Sequence, residues 1–324
     1  MFIALALCST LSTPIAKDPL LASFQNPPAS SKPHTWWHWM DGNVTKEGIT
    51  ADLKAMKEVG IGGAQMFTVS QSIPKGPVDY MSPLWREMTV HAVKEAQRFG
   101  IELCLHNCAG WSSSGGPWVK PEYAMQVLAW SETQTTGPAT FGQTLPMPKA
   151  PHTYANIPYY KDIAVYAFKS AAKPVKGGDF LGKTGVHRQD GLTLNLNSSG
   201  TAVATPKADF VILTDRLDSN GRLTWEVPPG EWTILRLGHL PTGKDNHPAP
   251  PEGDGLEVDK LSREALDEFW KGTMATVIKD VGPLAGKVLN NALVDSYEVG
   301  SQNWTPKMRE EFTKRRGYDP LRYL

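Results

Sequence analysis

Four short apolar runs, each ending abruptly in polar residues, constrain this chain more than any other feature. They are Trp36–Met40, running into Asp41-Gly42-Asn43; Ile61–Val69, carrying Gln65 and Thr68; Ile101–Leu105, running into His106-Asn107; and Val288–Val294, running into Asp295-Ser-Tyr297-Glu298. Such runs are the pattern of parallel strands buried on both faces. Helical spacing fills the gaps between them. Thr45 is placed to cap a helix on which Ile49, Leu53, Met56 and Val59 recur, closed by Gly60. Ser82-Pro83 opens a second, with Trp85, Met88, Ala92, Ala96 and Phe99 inward and Gly100 at its end. Ser262 caps a third, with Leu266, Phe269, Thr273, Met274 and Val277 on one face, and Thr305-Pro306 opens a fourth, stopped by Gly317 after basic residues. Alternating strands and helices predict an α/β fold of the (β/α)8 TIM-barrel type, of which these elements are about the first half. A half barrel leaves strand edges unpaired, so the segment alone is expected to be poorly soluble.

Between the third and fourth runs the texture changes. Short runs at Ile163–Phe168, Phe210–Leu213, Leu223–Val227 and Trp232–Leu237 are separated by Pro, Gly, Asn and Asp, which predicts an inserted antiparallel β-sandwich-like domain. The expected divisions are 1–32 leader and linker, 33–126 first part of the barrel, 127–245 insert, and 246–324 continuation of the barrel, truncated. Phe2–Leu11 is too short to span a bilayer and reads as a secretory apolar segment, so a periplasmic or extracellular location is expected. Beyond it only Cys104 and Cys108 remain, which is no disulfide framework. Lys+Arg and Asp+Glu both number 33, giving no electrostatic case for nucleic acid or an anionic membrane. Eleven Trp beside strand-end carboxylates suit a carbohydrate, whose C–H faces pack on aromatic rings.

In a barrel of this kind the chemistry sits at the C-terminal strand ends. Aligning those ends brings together His38, Asp41 and Asn43; Gln65 and Thr68; His106 and Asn107; and Asp295 with Glu298. For each residue singly a structural role is the alternative, and for His38 and His106 a hydrogen-bonded imidazole in the barrel wall is as good a reading. Glu298 is the candidate acid: it follows a strand end, has Tyr297 and Trp304 nearby, and a neighbouring carboxylate disfavours ionisation of a second. Cys104 and Cys108, without a further Cys or His pair, read as buried thiols rather than zinc ligands. A calcium site using Asp41, Asn43 or Asp295 oxygens stays open, because spacing does not specify one. Ser112-Ser-Ser114 lacks the G-x-S-x-G elbow, and no G-x-G-x-x-G or phosphate loop occurs.

Longer strings carry a family resemblance. Thr35-Trp-Trp-His-Trp-Met-Asp-Gly-Asn-Val-Thr45, Gly48–Leu53, Gly60–Phe67, Tyr80–Pro83, His106-Asn-Cys-Ala-Gly-Trp-Ser-Ser-Ser-Gly-Gly-Pro-Trp118 and Val294-Asp-Ser-Tyr-Glu-Val-Gly300 together make the chain resemble the bacterial α-L-rhamnosidases of glycoside hydrolase family 106. The resemblance implies a secreted or periplasmic barrel enzyme that releases terminal L-rhamnose from plant glycans or glycosides with inversion. It implies Glu298 as general acid, a general base on a later strand, and calcium near the sugar. On this reading Trp37, His38, Asp41, Asn43, His106, Asn107, Trp111 and Asp295 form the sugar-binding rim. The rivals are a non-catalytic carbohydrate-binding or scaffold protein, and a barrel hydrolase for another deoxysugar or an arabinoside.

Overall fold

The computed structural model describes residues 19–150, 153–170 and 210–322. The apolar leader and the middle of the insert lie outside the described residues. A short exposed helix, α1 (Pro19–Gln25), precedes the first strand. The expected alternation follows: β1 (His34–Met40), α2 (Lys46–Glu58), β2 (Gly63–Val69), α3 (Pro83–Phe99) and β3 (Glu102–His106). After the insert come α4 (Arg263–Gly272), α5 (Met274–Val281), β8 (Leu289–Leu293) and α6 (Met308–Arg316). Strands β1, β2, β3 and β8 form one parallel sheet in that order. Among the described residues this sheet is open, with β1 and β8 at its edges.

The caps follow from the sequence. Thr45 Oγ1 accepts from the Gly48 amide and Ser82 Oγ from the Trp85 amide, each supplying one of the acceptors that a helix start lacks. Gly100 adopts the left-handed conformation that ends α3. One face of the sheet packs on the helices: Trp37, Trp39, Met66, Leu103 and Leu105 share a core with Ile49, Leu53, Trp85 and Val277.

Other expectations are corrected. Val59 is the exposed residue that closes α2, outside its buried face. The helix expected from Ser262 onward is two helices, broken at Gly272-Thr273 where the Trp118 ring packs against the glycine, and Leu266 faces solvent. Thr305 caps nothing: its hydroxyl donates to Asp259 Oδ2 at 2.8 Å, and α6 begins at Met308. Strand β8, read as buried, is exposed at Asn290, Asn291 and Ala292, because it is an edge of the described sheet.

In the insert, β4 (Gln126–Thr144), β5 (Lys161–Lys169), β6 (Phe210–Ile212) and β7 (Arg222–Pro241) make one antiparallel sheet in the order β4-β7-β5-β6. Leu223–Val227 and Trp232–Leu237, read as two strands, are halves of β7. Pro228-Pro229-Gly230 makes a register shift against Gly137–Ala139 rather than a chain reversal. Proline is tolerated there because β5 pairs with β7 only from Trp232 onward. The outer half of the β4–β7 ribbon then shares a core with the sheet it left: Leu223, Trp225 and Val227 pack with Val165, Ala167 and Ile234. Among the described residues a folded-over ribbon thus stands where a second sheet was expected.

Candidate active site

The cleft-facing side of the parallel sheet is set by strand alternation. Trp36, His38, Phe67 and His106 lie on it as a row of neighbouring rings. Phe67 sits between the two imidazoles, with centroids 5.1 Å from His38 and 4.9 Å from His106, stacked on the latter. Trp36 and Trp111 both meet His38 edge-on, at 5.6 Å and 6.2 Å. Burial lowers the pKa of both histidines, while the Asp295 carboxylate pulls each back up. Asp295 therefore acts electrostatically on two strands at once. His106 Nδ1 lies 2.8 Å from the Cys108 carbonyl, and the Nε2 atoms of His38 and His106 are buried without a hydrogen-bond partner. Neutral imidazoles with unused ring nitrogens suit the hydroxyls of a sugar.

The alternation corrects one assignment. Trp37 points to the helices, where its indole donates to Asp52 Oδ2 at 2.9 Å, so the cleft-facing tryptophan of β1 is Trp36. Thr68 likewise turns to the helical side and receives the Trp85 indole N–H at 3.2 Å. Gln65, two residues before Phe67 and opposite Trp36 in the register, is half-buried on the cleft-facing side. Asp41 is buried in a left-handed conformation (φ 45°), with Oδ1 lacking a partner. Such strain in a non-glycine residue is characteristic of functional loops. Asn43 holds that loop together: its amide donates to the carbonyls of Met40 and Pro74. Asn107 does the same for the next loop through Ser113 O at 3.0 Å, leaving its Oδ1 buried and unpaired.

Glu298 lies on the loop after β8 and is exposed. The loop is tied to the one after β3: Ser112 and Ser296 form a parallel bridge, and the Ser296 amide donates to Trp111 O at 3.0 Å. His247 Nε2 is 3.8 Å from Glu298 Oε2, an ion-pair distance when the imidazole is protonated. His247 is itself fixed, its amide donating to Ser112 Oγ at 2.9 Å and its carbonyl accepting from Trp111. His247 is a site residue that the strand-end pattern does not reach: it lies in the Pro/Gly/Asp-rich stretch 241–255, before the helical pattern resumes.

Calcium binding needs about six to eight oxygen ligands. Among the described residues no group of three or more His, Cys, Asp or Glu side chains converges, so no calcium ligand set is assigned. Cys104 and Cys108 are free and buried, and Cys108 Sγ donates to Ser112 O. No helix among the described residues is long and apolar enough to cross a membrane.

The chain is 46% identical over 306 residues to a protein of Formosa agariphila named "Putative beta-glucuronidase", covering 94% of this chain and 26% of that protein. It superposes on the structure of a rhamnosidase from Novosphingobium sp. PP1Y with a TM-score of 0.77 at 28% identity, covering 94% of this chain and 42% of the other. The chain thus spans about a quarter of the curated relative it matches and less than half of the solved one. The glycoside hydrolase family 106 model, described as alpha-L-rhamnosidase, matches residues 25–180 and 172–324, and the chain belongs to that family.

Proposed function

We propose that this chain carries the sugar-binding floor and the general acid of an exported inverting glycosidase that releases terminal α-L-rhamnose, with Glu298 as the acid. The observation that carries the reading is the position of Glu298. It stands beside His247 on the loop after a parallel strand, at the end of the sheet where His38, His106 and Asp295 meet. His38, Asp41, His106, Asn107, Trp111 and Asp295 are assigned to the rim, and Trp36 replaces Trp37. An inverting site places the base roughly 6.5–9.5 Å across the sugar from the acid. The family resemblance puts that base on a later strand, outside these residues.

The name of the Formosa agariphila relative favours a second reading, hydrolysis of a glucuronide. A uronic acid brings a carboxylate and needs a cation beside the sugar ring. The rim offers two imidazoles held toward their neutral form by burial, and the carboxylates of Asp295 and Glu298. Rhamnose, neutral and with an apolar methyl group, fits such a floor better.

The test uses the complete gene product beside the 324-residue chain. Glu298→Gln is expected to lower hydrolysis of an alkyl α-L-rhamnoside about 10²–10⁴-fold without unfolding the protein. Wild-type turnover by the mutant removes Glu298 from the acid role. Cleavage of p-nitrophenyl β-D-glucuronide in preference to the rhamnoside selects the second reading. Activity of the short chain alone makes Asp41 or Asp295 the base.

A further inference from the structure

Glu257 is a carboxylate near the acid loop whose side chain is fully removed from solvent. Its Oε2 accepts from Ser114 Oγ and from Lys260 Nζ, each at 2.6 Å, while Oε1 is buried with no partner. Burial raises the carboxyl pKa, and Lys260 and Ser114 pull it back down. Burying an ion pair is expensive unless its geometry is well satisfied, so a pair kept here calls for a reason other than stability.

Its contacts supply one. Ser114 belongs to the loop after β3 that bridges to Ser296. The Lys260 ammonium lies 5.5 Å from the Tyr297 ring centroid, over its face, and the Lys260 amide donates to Gln302 Oε1 at 3.2 Å. Gln302 Nε2 also bonds Asp259, and the Asn303 amide donates to Gln126 O while Asn303 Oδ1 receives the Leu128 amide at 2.8 Å. The backbone of Glu257 is held too, its carbonyl accepting from Met125 immediately before β4. Glu298 therefore hangs between Ser296 and Gln302, two points fixed by one polar node.

We propose that the Glu257–Lys260 pair positions the acid: Glu257 fixes the Lys260 ammonium against the Tyr297 ring, and the pair so holds the neighbouring Glu298 carboxyl where it meets the leaving-group oxygen. Neither residue touches substrate, so both are positioning residues. The inference rests on Glu298 being the general acid.

A misplaced acid has a kinetic signature that general damage lacks. A poor leaving group needs protonation in the transition state, whereas 2,4-dinitrophenolate departs without it. The experiment compares an alkyl α-L-rhamnoside with 2,4-dinitrophenyl α-L-rhamnoside in the complete enzyme. The variants are Lys260→Met, Lys260→Arg, the double variant Glu257→Gln/Lys260→Met, and Glu298→Gln. The double variant removes both charges together, so no lone buried charge is left to unfold the protein.

The single and double Met variants are expected to lose about 10–100-fold in kcat on the alkyl glycoside and less than about threefold on the dinitrophenyl one, as for a displacement near 1 Å, with Lys260→Arg close to wild type. Equal losses on both substrates, no loss on either, or a double variant that fails to fold make the cluster purely structural and overturn the proposal. A Glu298→Gln enzyme without the leaving-group signature overturns the acid assignment, and this inference falls with it. With the signature in Glu298→Gln and not in the Lys260 variants, only the inference falls.

Discussion

His239 shows how a single buried group ties stability to pH. It is almost fully enclosed in β7, its Nδ1 3.0 Å from Gln126 Oε1, and burial together with the Lys161 charge lowers its pKa to about 4. The unfolded chain takes up a proton near pH 6.5 and the folded chain does not, so the unfolded state binds more protons between those values. Stability is therefore complete above about pH 6.5 and falls as pH drops toward 4, by up to ~3 kcal/mol from this residue. His38 and His106 are shifted in the same direction and act with the same sign. Urea unfolding between pH 7 and 4.5 is expected to show this loss, and His239→Gln to flatten the slope. An unchanged slope would mean that His239 titrates alike in both states. Nothing in the sequence around His239 marks it for burial; its neighbours across β4 and β5 do.

Single elements are where sequence reading succeeds best, and junctions between them are where it fails. The caps at Thr45, Ser82 and Ser262 form as expected because each is a local hydrogen bond to an amide two or three residues on. The break at Gly272-Thr273 depends on a ring from residue 118, and the continuity of β7 through two prolines depends on which neighbour strand stops short. The loop carrying Trp111 gives a test of such a junction. Gly110 has φ 79°, and a Cβ there would sit 2.6 Å from the His247 carbonyl carbon. Gly110→Ala is expected to cost about 1–3 kcal/mol and to push His247 away from Glu298, lowering kcat more than thermal stability alone explains. Retained stability and activity would show that the two loops are not in register through this glycine.

The whole molecule is a parallel sheet covered on one side by helices, with an antiparallel ribbon packed beside it. The C-terminal segment joins them: Leu321 packs against Ala164, Tyr166 and Leu235 of the insert. The other side of the parallel sheet carries Trp36, which is 59% exposed, on the open edge strand β1. Exposed apolar faces and free strand edges promote association. The 324-residue polypeptide expressed alone is therefore expected to self-associate and to bind a hydrophobic dye, as measured by light scattering and fluorescence. A monodisperse monomer with cooperative unfolding would show that the face is covered in solution.

The order of the four parallel strands, the caps at Thr45, Ser82 and Ser262 and the gathering of polar residues at the strand ends are legible in the chain, because they follow from local hydrogen bonding and from the period of the apolar pattern. So is the family, in strings such as Trp36–Asn43 and Asp295–Glu298. That Trp36 rather than Trp37 faces away from the helices is a matter of packing, since it depends on which side the helices cover. The tertiary structure alone brought His247 to Glu298, and Glu257 to Ser114 across 143 positions of chain. Contacts between residues so far apart leave no periodic trace in the sequence; they exist because two separately specified layers pack in one way.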